Sequence, residues 1–339
     1  VYKRQIVDFE AALKQLLSDP VDGSLRASAL EQGRTLAQTI NTAASSLDAA
    51  GDGLRFEAQD GVDQVNTLAA ELARVNLRLS RASDSSSDQS SLLDQRDSLL
   101  EKISTYVDTS TTFASDGTVV LHLGGSSGPD LVNGGTATSL AMATASDGTL
   151  TFTLGGTAAG IASGSIAGKN QALAELANVR GQLDTIAAGI ITAVNGAQAS
   201  GVDLSGNAGQ PLFSGSDAAS MAIALASGSQ IATAPAGAGA NSRDASNLEA
   251  MRSALDSADP AGGMNTLLFG ISSAVAGRSV TRDALQSIAG SAKVALEAQS
   301  GVDLDQEAVN LTRFQQAYQA NGRVMQVASD IFDSILSIR

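Results

Sequence analysis

Apolar residues recur along this chain at intervals of three and four, and the longest such run lies near its carboxy end. Phe314, Ala317, Asn321, Val324, Ala328, Ile331, Ile335 and Ile338 are spaced 3, 4, 3, 4, 3, 4, 3. That is the period of a coiled-coil seam rather than of a helix lying on a sheet. At about 1.5 Å per residue the seam would run roughly 36 Å. Leu311, Met325, Phe332 and Leu336 widen the apolar face, which predicts more than one neighbour. Ser300-Gly301 stops the preceding element, Asp303 is placed to cap the new helix, and Gln306 stands where a capping box has its reciprocal partner. Asp303, Asp305 and Glu307 at the start and Arg339 at the end complement the helix dipole. Tyr318 and Asn321 are expected to set register, because a polar group in an apolar seam restricts the tolerated alignments. A helix so written asks for a partner, and that points to assembly.

The same period governs most of the chain. Ile6, Phe9, Leu13, Leu16 and Leu17 predict a short helix over 6–18, ended by Asp19-Pro20. A long helix over 24–82 follows through Leu36, Ile40, Ala43, Leu47, Ala50 and Leu54. A four-residue step to Ala58 then restarts the spacing through Gly61, Val65, Leu68, Leu72, Val75 and Leu79. Such a stutter relaxes supercoiling, and Gly51, Gly53 and Gly61 would allow a bend in the same place. After a polar loop over 85–91, a helix with Ser91 as cap would bury Leu92, Leu99, Ile103 and Val107. From 108 to 165 the pattern switches to short alternating runs between Asp-Gly, Asn-Gly-Gly and Gly-Gly turns, which predicts a small antiparallel β-rich insertion. Helix resumes over 169–195, a loop and a weakly patterned Ala/Ser/Gly stretch reach 240, and a short helix covers 246–257. Met264, Leu267, Ile271, Ala274, Leu285, Ile288, Ala292 and Ala295 define one more long helix, with Arg278 and Thr281 interrupting its seam.

The expected fold is therefore mainly α: an elongated bundle of long antiparallel helices with a small β-rich insertion and a carboxy-terminal coiled-coil-type helix. Its parts are a first half of the bundle over 1–107, the insertion over 108–165, a second half over 166–300 with the loop 196–240, and an assembly helix over 301–339. Each long helix has an apolar stripe and no sheet broad enough to cover it, so the two helical halves must cover one another.

Composition narrows the partners. The chain has 339 residues, with 21 Lys+Arg against 35 Asp+Glu and a formal charge of −14, which argues against nucleic acid. Aromatic residues are 3% and Trp is absent, so helices are expected to approach closely through small side chains. The absence of Cys removes disulfides, thiolate metal sites and cysteine nucleophiles together. No apolar run approaches the ~18 residues of a membrane span, and no signal-peptide pattern opens the chain. The first residue is Val, so the natural start is expected upstream, and residues 1–5 fit no pattern that follows.

Candidate chemistry is sparse. His122, the single histidine, has no second His or Cys with which to share a metal and reads as a strand residue. Asp203, Ser205 and Asn207 imitate the first half of a calcium loop, but Ala208 stands at the glycine position and Ser214 at that of the bidentate acid, so an Asx turn is expected. Gly164–Lys169 only loosely resembles a phosphate loop, because three residues separate its glycines and Asn170 replaces the Ser or Thr. Asp94 and Asp97 flank Arg96, an arrangement that more often fixes a helix start by ion pairs than performs acid–base work. No enzyme, cofactor or metal site is expected.

Three segments carry a resemblance. SGVDLDQEAVNLTRFQQAYQANGRVMQVASDIFDSILSI at 300–338 resembles the carboxy-terminal signature of bacterial flagellar axial proteins, which include rod, hook and hook-associated proteins. SLLDQRDSLLEKIS at 91–104, with Leu92, Leu93, Asp94, Gln95, Arg96 and Asp97 as its motif, is similar to the hook-associated family of the hook–filament junction, the FlgK type. VNGAQASGVDLSGNAGQPLFSG at 194–215 resembles a helix-end loop of the same family. The resemblance implies a structural subunit without cofactor, exported unfolded through the flagellar type III apparatus and secreted without a cleaved signal peptide. It would assemble in an extracellular ring, with itself, hook subunits and neighbouring hook-associated proteins as partners and an export chaperone beforehand. Nucleic acid and membrane are not expected partners. The chain departs from the family in lacking the amino-terminal helix that pairs with the last one, in Gly322 where Ala is usual, and in the small size of its β portion. Rival readings are a hook or filament subunit, a cell-wall hydrolase carried on the flagellum, which would need paired carboxylates in a cleft, and a coiled-coil adhesin, which would need a repeat or recognition patch.

Overall fold

A computed structural model of the chain describes residues 2–82, 87–300 and 308–319. Its frame is six helices: α1 (Tyr2–Leu16), α2 (Gly23–Leu79), α3 (Ser87–Tyr106), α4 (Gly164–Ala199), α5 (Ser246–Ala258) and α6 (Pro260–Ser300), and residues 308–319 are also helical. The chain divides into two compact units, Val1–Ile271 and Ser272–Arg339. Among the described residues, no helix is long and apolar enough to cross a membrane.

In the first unit α2 is the common wall. It has 57 residues, and the Asp22 carboxylate caps its start by accepting the Leu25 N–H at 2.8 Å. At 1.5 Å per residue its length is about 85 Å, more than one small core can cover, and two separate cores form along it. The first gathers α1, the front of α2 as far as Ala44, the back of α4 from Val179 to Ala197, α5 and the start of α6. The second gathers α2 from Ala58 onward, α3, the β insertion and the front of α4 through Ile166 and Leu173. The front of α2 thus lies with the back of α4, and the reverse, so the two helices run antiparallel as their stripes predicted.

The cores part where the apolar spacing of α2 takes its four-residue step. Charged groups occupy this waist: Arg180 Nη1 lies 2.5 Å from Asp48 Oδ1, its Nε 3.2 Å from Asp184 Oδ1, and Arg55 Nη2 2.7 Å from Asp52 Oδ1. α2 continues unbroken through Gly51, Gly53 and Gly61. Gly61 has a packing reason, since a Cβ there would stand 3.1 Å from Ile166 Cγ1 of α4, whereas Gly53 faces open space.

The insertion forms two antiparallel meanders. β1 (Thr109–Phe113), β2 (Val119–Leu123), β3 (Asp130–Asn133) and β4 (Thr136–Ala137) make one sheet, and β5 (Leu140–Thr144), β6 (Leu150–Leu154) and β7 (Thr157–Ala159) the other. Val119, Leu121 and Leu123 alternate into the second core, as do Leu150, Phe152 and Leu154. Asp-Gly turns close both leading hairpins, with Gly117 at φ 81° and Gly148 at φ 82°, a region costly for any residue with a Cβ. Between α4 and α5 the chain makes two short ribbons: β8 (Gly201–Val202) pairs with β11 (Ala234–Pro235), and β9 (Phe213–Ser214) with β10 (Ala222–Ile223). At the α5–α6 joint, Asp259 takes the left-handed conformation (φ 42°) and its carboxylate accepts the Gly262 N–H at 2.9 Å. Pro260 then opens α6, where a missing N–H costs nothing.

Three local expectations are corrected. Residues 2–5 belong to α1, and Tyr2 packs on the first core, which gives that segment the apolar anchor its sequence hid. Ser91 lies inside α3, exposed, rather than capping it. α4 begins at Gly164, five residues before the expected 169, because Ile166 and Ala167 are buried in its first turn.

Gly53→Ala should raise stability by about 0.5–1 kcal/mol in urea unfolding, because a Cβ meets nothing there and helix propensity improves. Gly61→Ala should show no such gain.

Candidate assembly surfaces and the Arg96 site

The 92–97 motif occupies the middle of α3, and helical periodicity sends its residues in two directions. Leu92 is buried in the second core and Leu93 packs partly against it. Arg96, 9% exposed, points the same way and donates from Nη1 to the Gly117 carbonyl at 2.6 Å. Its Nε and Nη2 lie 2.8 and 2.7 Å from Asp97 Oδ1, and the guanidinium carbon sits 4.9 Å from the Phe113 ring centroid. The sequence pairs Arg96 with an aspartate at a helix start; the structure keeps the pair with Asp97 but uses it mid-helix, to hold the β1–β2 turn. Leu93 closes the same contact, since a Cβ on Gly117 would come within 2.8 Å of Leu93 Cδ2. Asp94 and Gln95 face outward into a groove of about 590 Å³ between α2 and α3, whose other charged walls are Glu71, Arg74, Arg78 and Lys102. The motif therefore builds a hairpin anchor on one side and one wall of an open groove on the other.

The carboxy-terminal seam is placed in part. Phe314, Ala317 and Tyr318 lie on the helical stretch 308–319 and are exposed, Phe314 at 75% and Tyr318 at 82%. Asn321, Val324, Ala328, Ile331, Ile335 and Ile338 lie outside the described residues. Upstream on α6, Val275, Val280, Leu285, Ile288 and Val294 are exposed as well.

Among the described residues, no group of three or more His, Cys, Asp or Glu side chains is placed to hold a metal ion. His122 sits on β2, with Nδ1 2.8 Å from Asp130 Oδ1 of β3. Asp203 Oδ1 accepts the N–H groups of Ser205 and Asn207 at 2.9 and 2.8 Å, the expected Asx turn.

Sequence reasoning missed the buried polar side chains that fasten loops to helices. Arg26 on α2 is 1% exposed. It donates to the carbonyls of Pro20, Gly228 and Ile231 at 2.5, 3.2 and 2.8 Å and to Thr233 Oγ1 at 2.6 Å. Burial pushes its pKa below the ordinary arginine value, opposed by the charge of Asp203. A Cβ on Gly228 would lie 2.5 Å from the Arg26 carbonyl carbon, so glycine is required for the loop to reach. The signal for this site lay in the helical period, which assigns Arg26 to the buried face of α2. The turn carboxylates Asp116 and Asp147 were also passed over. Each accepts the hydroxyl and N–H of the threonine two residues on, Thr118 or Thr149, and these bonds hold both pKa values below the usual carboxylate range.

Two segments of the chain match known protein families. Residues 296–338 match the family described as Flagellar basal body rod FlgEFG protein C-terminal. Residues 3–213 match the family described as Flagellar hook-associated protein FlgK helical domain, and the chain belongs to that family. It is 28% identical over 225 residues to Flagellar hook-associated protein 1 of Escherichia coli (strain K12), covering 62% of this chain and 40% of that protein. With the protein of that name from Salmonella typhimurium it shares 55% identity over 40 residues, 12% of this chain and 7% of the other. The solved flagellar hook junction protein FlgK from Burkholderia pseudomallei is similar with a TM-score of 0.57 and 26% identity, over 63% of this chain and 40% of that one. The chain thus spans about two fifths of the length of the E. coli relative and of this solved structure.

Arg26→Ala should cost about 2–4 kcal/mol in denaturant unfolding, since it strands several buried acceptors and leaves a cavity. Acid should leave the Asp116 and Asp147 turn bonds intact at pH 4. Because their folded pKa values are depressed, the stabilisation is present above the unfolded value near ~3.9 and is lost only as pH falls through the lower folded values. A carboxyl-detected NMR titration should show these two groups titrating below the ordinary aspartate value of ~3.9.

Proposed function

We propose that this chain is the helical body and carboxy-terminal assembly region of a structural subunit joining hook to filament in the bacterial flagellum. The observation that carries the reading is the exposed aromatic pair Phe314 and Tyr318 on a helix whose sequence continues the seam to Ile338. An apolar helical stripe of that length is covered in the working state, and sister subunits and adjoining axial proteins are the partners that fit. Family membership supports the same partners: the chain itself in a ring, hook subunits and neighbouring hook-associated proteins. Before assembly, an export chaperone would cover the stripe, and the subunit would leave the cell without a cleaved signal peptide. Its work is helix packing, with Phe314, Ala317, Val324, Ala328, Ile331, Ile335 and Ile338 as the apolar seam and Tyr318 and Asn321 setting register. No catalytic step is assigned to it.

Deleting 314–339 should abolish incorporation into flagella while the unit Val1–Ile271 keeps its helical signal and unfolding midpoint. In a strain lacking the gene, electron microscopy should show hooks without filaments, with filament protein shed into the medium. Filaments still attached in the deletion strain would sink the seam assignment.

A further inference from the structure

The β insertion repeats itself. Ala-Ser-Asp-Gly-Thr occurs at 114–118 and again 31 residues later at 145–149, and Leu-Gly-Gly follows at the same offset, at 123–125 and 154–156. Register repeats with the sequence. Thr109 pairs with Leu123 and Phe113 with Val119 in the first hairpin, and Leu140 with Leu154 and Thr144 with Leu150 in the second. Closing bonds repeat too: Gly117 N–H donates to the Ala114 carbonyl and Gly148 N–H to that of Ala145, while Gly124 and Gly155 donate to Asp108 and Ser139.

The helices grip both copies at equivalent atoms. In the first, Arg96 of α3 donates to the Gly117 carbonyl, and the Asn76 carboxamide of α2 accepts the Val119 N–H at 3.0 Å and donates to its carbonyl at 2.8 Å. In the second, Arg55 of α2 donates to the Gly148 carbonyl at 3.2 Å. Asn170 of α4 accepts the Leu150 N–H at 2.7 Å and donates to its carbonyl at 3.2 Å. Gly117 and Gly148 are equivalent in the repeat, as are Val119 and Leu150. Each arginine is steadied by an aspartate on its own helix, Asp97 or Asp52. Four side chains from three helices thus make the same pattern twice, across different helix pairs.

We propose that residues 108–156 contain one hairpin module used twice, and that Arg96 with Asn76 and Arg55 with Asn170 form two equivalent sockets that bind an Asp-Gly hairpin turn. Both sockets address one carbonyl at the turn glycine and the N–H and C=O of the residue two positions later, and Arg96 also stacks on the Phe113 ring. Their ligand is a turn geometry, and any hairpin that offers that geometry at that spacing fits. This assignment stands independently of the flagellar role, because it concerns how the insertion is held.

Residue-resolved amide exchange on the full chain tests it. Asn170→Ala should speed exchange at Leu150 and its hairpin at least tenfold and leave Val119 unchanged, and Asn76→Ala should do the reverse. Arg55→Gln and Arg96→Gln, which keep a polar side chain but shorten its reach to the turn carbonyl, should show the same division. Loss of protection in both hairpins from either substitution, or in neither, would overturn the two-socket assignment. A chain in which residues 119–123 and 150–154 exchange sequences should fold with both turns protected. Loss of protection at both turns in that chain would refute the equivalence of the modules.

Discussion

A side-chain carboxamide that returns both hydrogen bonds of a main-chain edge is the interaction on which this structure depends. Long helices satisfy their own backbone, but strands and loops laid against them carry N–H and C=O groups that burial would strand. Asn76 and Asn170 meet those groups at Val119 and Leu150, Asn66 does the same at Leu140, and Asn195 accepts from Leu212 and Phe213 while donating to Phe213. At Ala232 two amides share the work: Gln198 accepts its N–H and Asn247 donates to its carbonyl. With 8 Phe, 3 Tyr and no Trp in the chain, few bulky side chains are available to hold irregular segments by apolar area alone. Amides of fixed length do it instead.

The arrangement of the cores follows from the length of α2. A helix that long cannot be covered by one cluster of small side chains, so apolar contact is divided between its two ends and charge collects in the middle. Arg26 belongs to the same logic near the amino end of α2, where a guanidinium with no carboxylate in direct contact is accepted in the interior because carbonyls and a threonine hydroxyl surround it. Such a group costs desolvation and returns it only if every donor finds an acceptor. The Gly228 loop is therefore bound to one geometry.

Much of the frame was legible in the sequence, because helices declare themselves through period. The stripes on α2 and α4 predicted antiparallel covering, and the step at Ala58 marked the place where the cores separate. The β insertion was legible from its turn residues. Its duplication was equally visible in Ala-Ser-Asp-Gly-Thr but carries no apolar periodicity, so a search by hydrophobic pattern passes over it. The weakly patterned stretch that reaches 240 takes its order from Arg26 and Gln198, each far away along the chain. The motif around Arg96 was recognised by resemblance, yet its outward and inward halves do different things, and only the position of Gly117 separates them. The seam from Phe314 onward was plain as a pattern, and Phe314, Ala317 and Tyr318 lie exposed on a helix.

One consequence of gripping main-chain atoms concerns how the insertion can change over evolutionary time. Helix-borne amides and guanidinium groups are blind to the identity of outward-facing strand residues such as Thr112, Thr151 and Thr153. Substitutions there leave the anchorage untouched, so the outer face of the protein is free to diversify under pressure from whatever meets it, while the scaffold beneath stays constant.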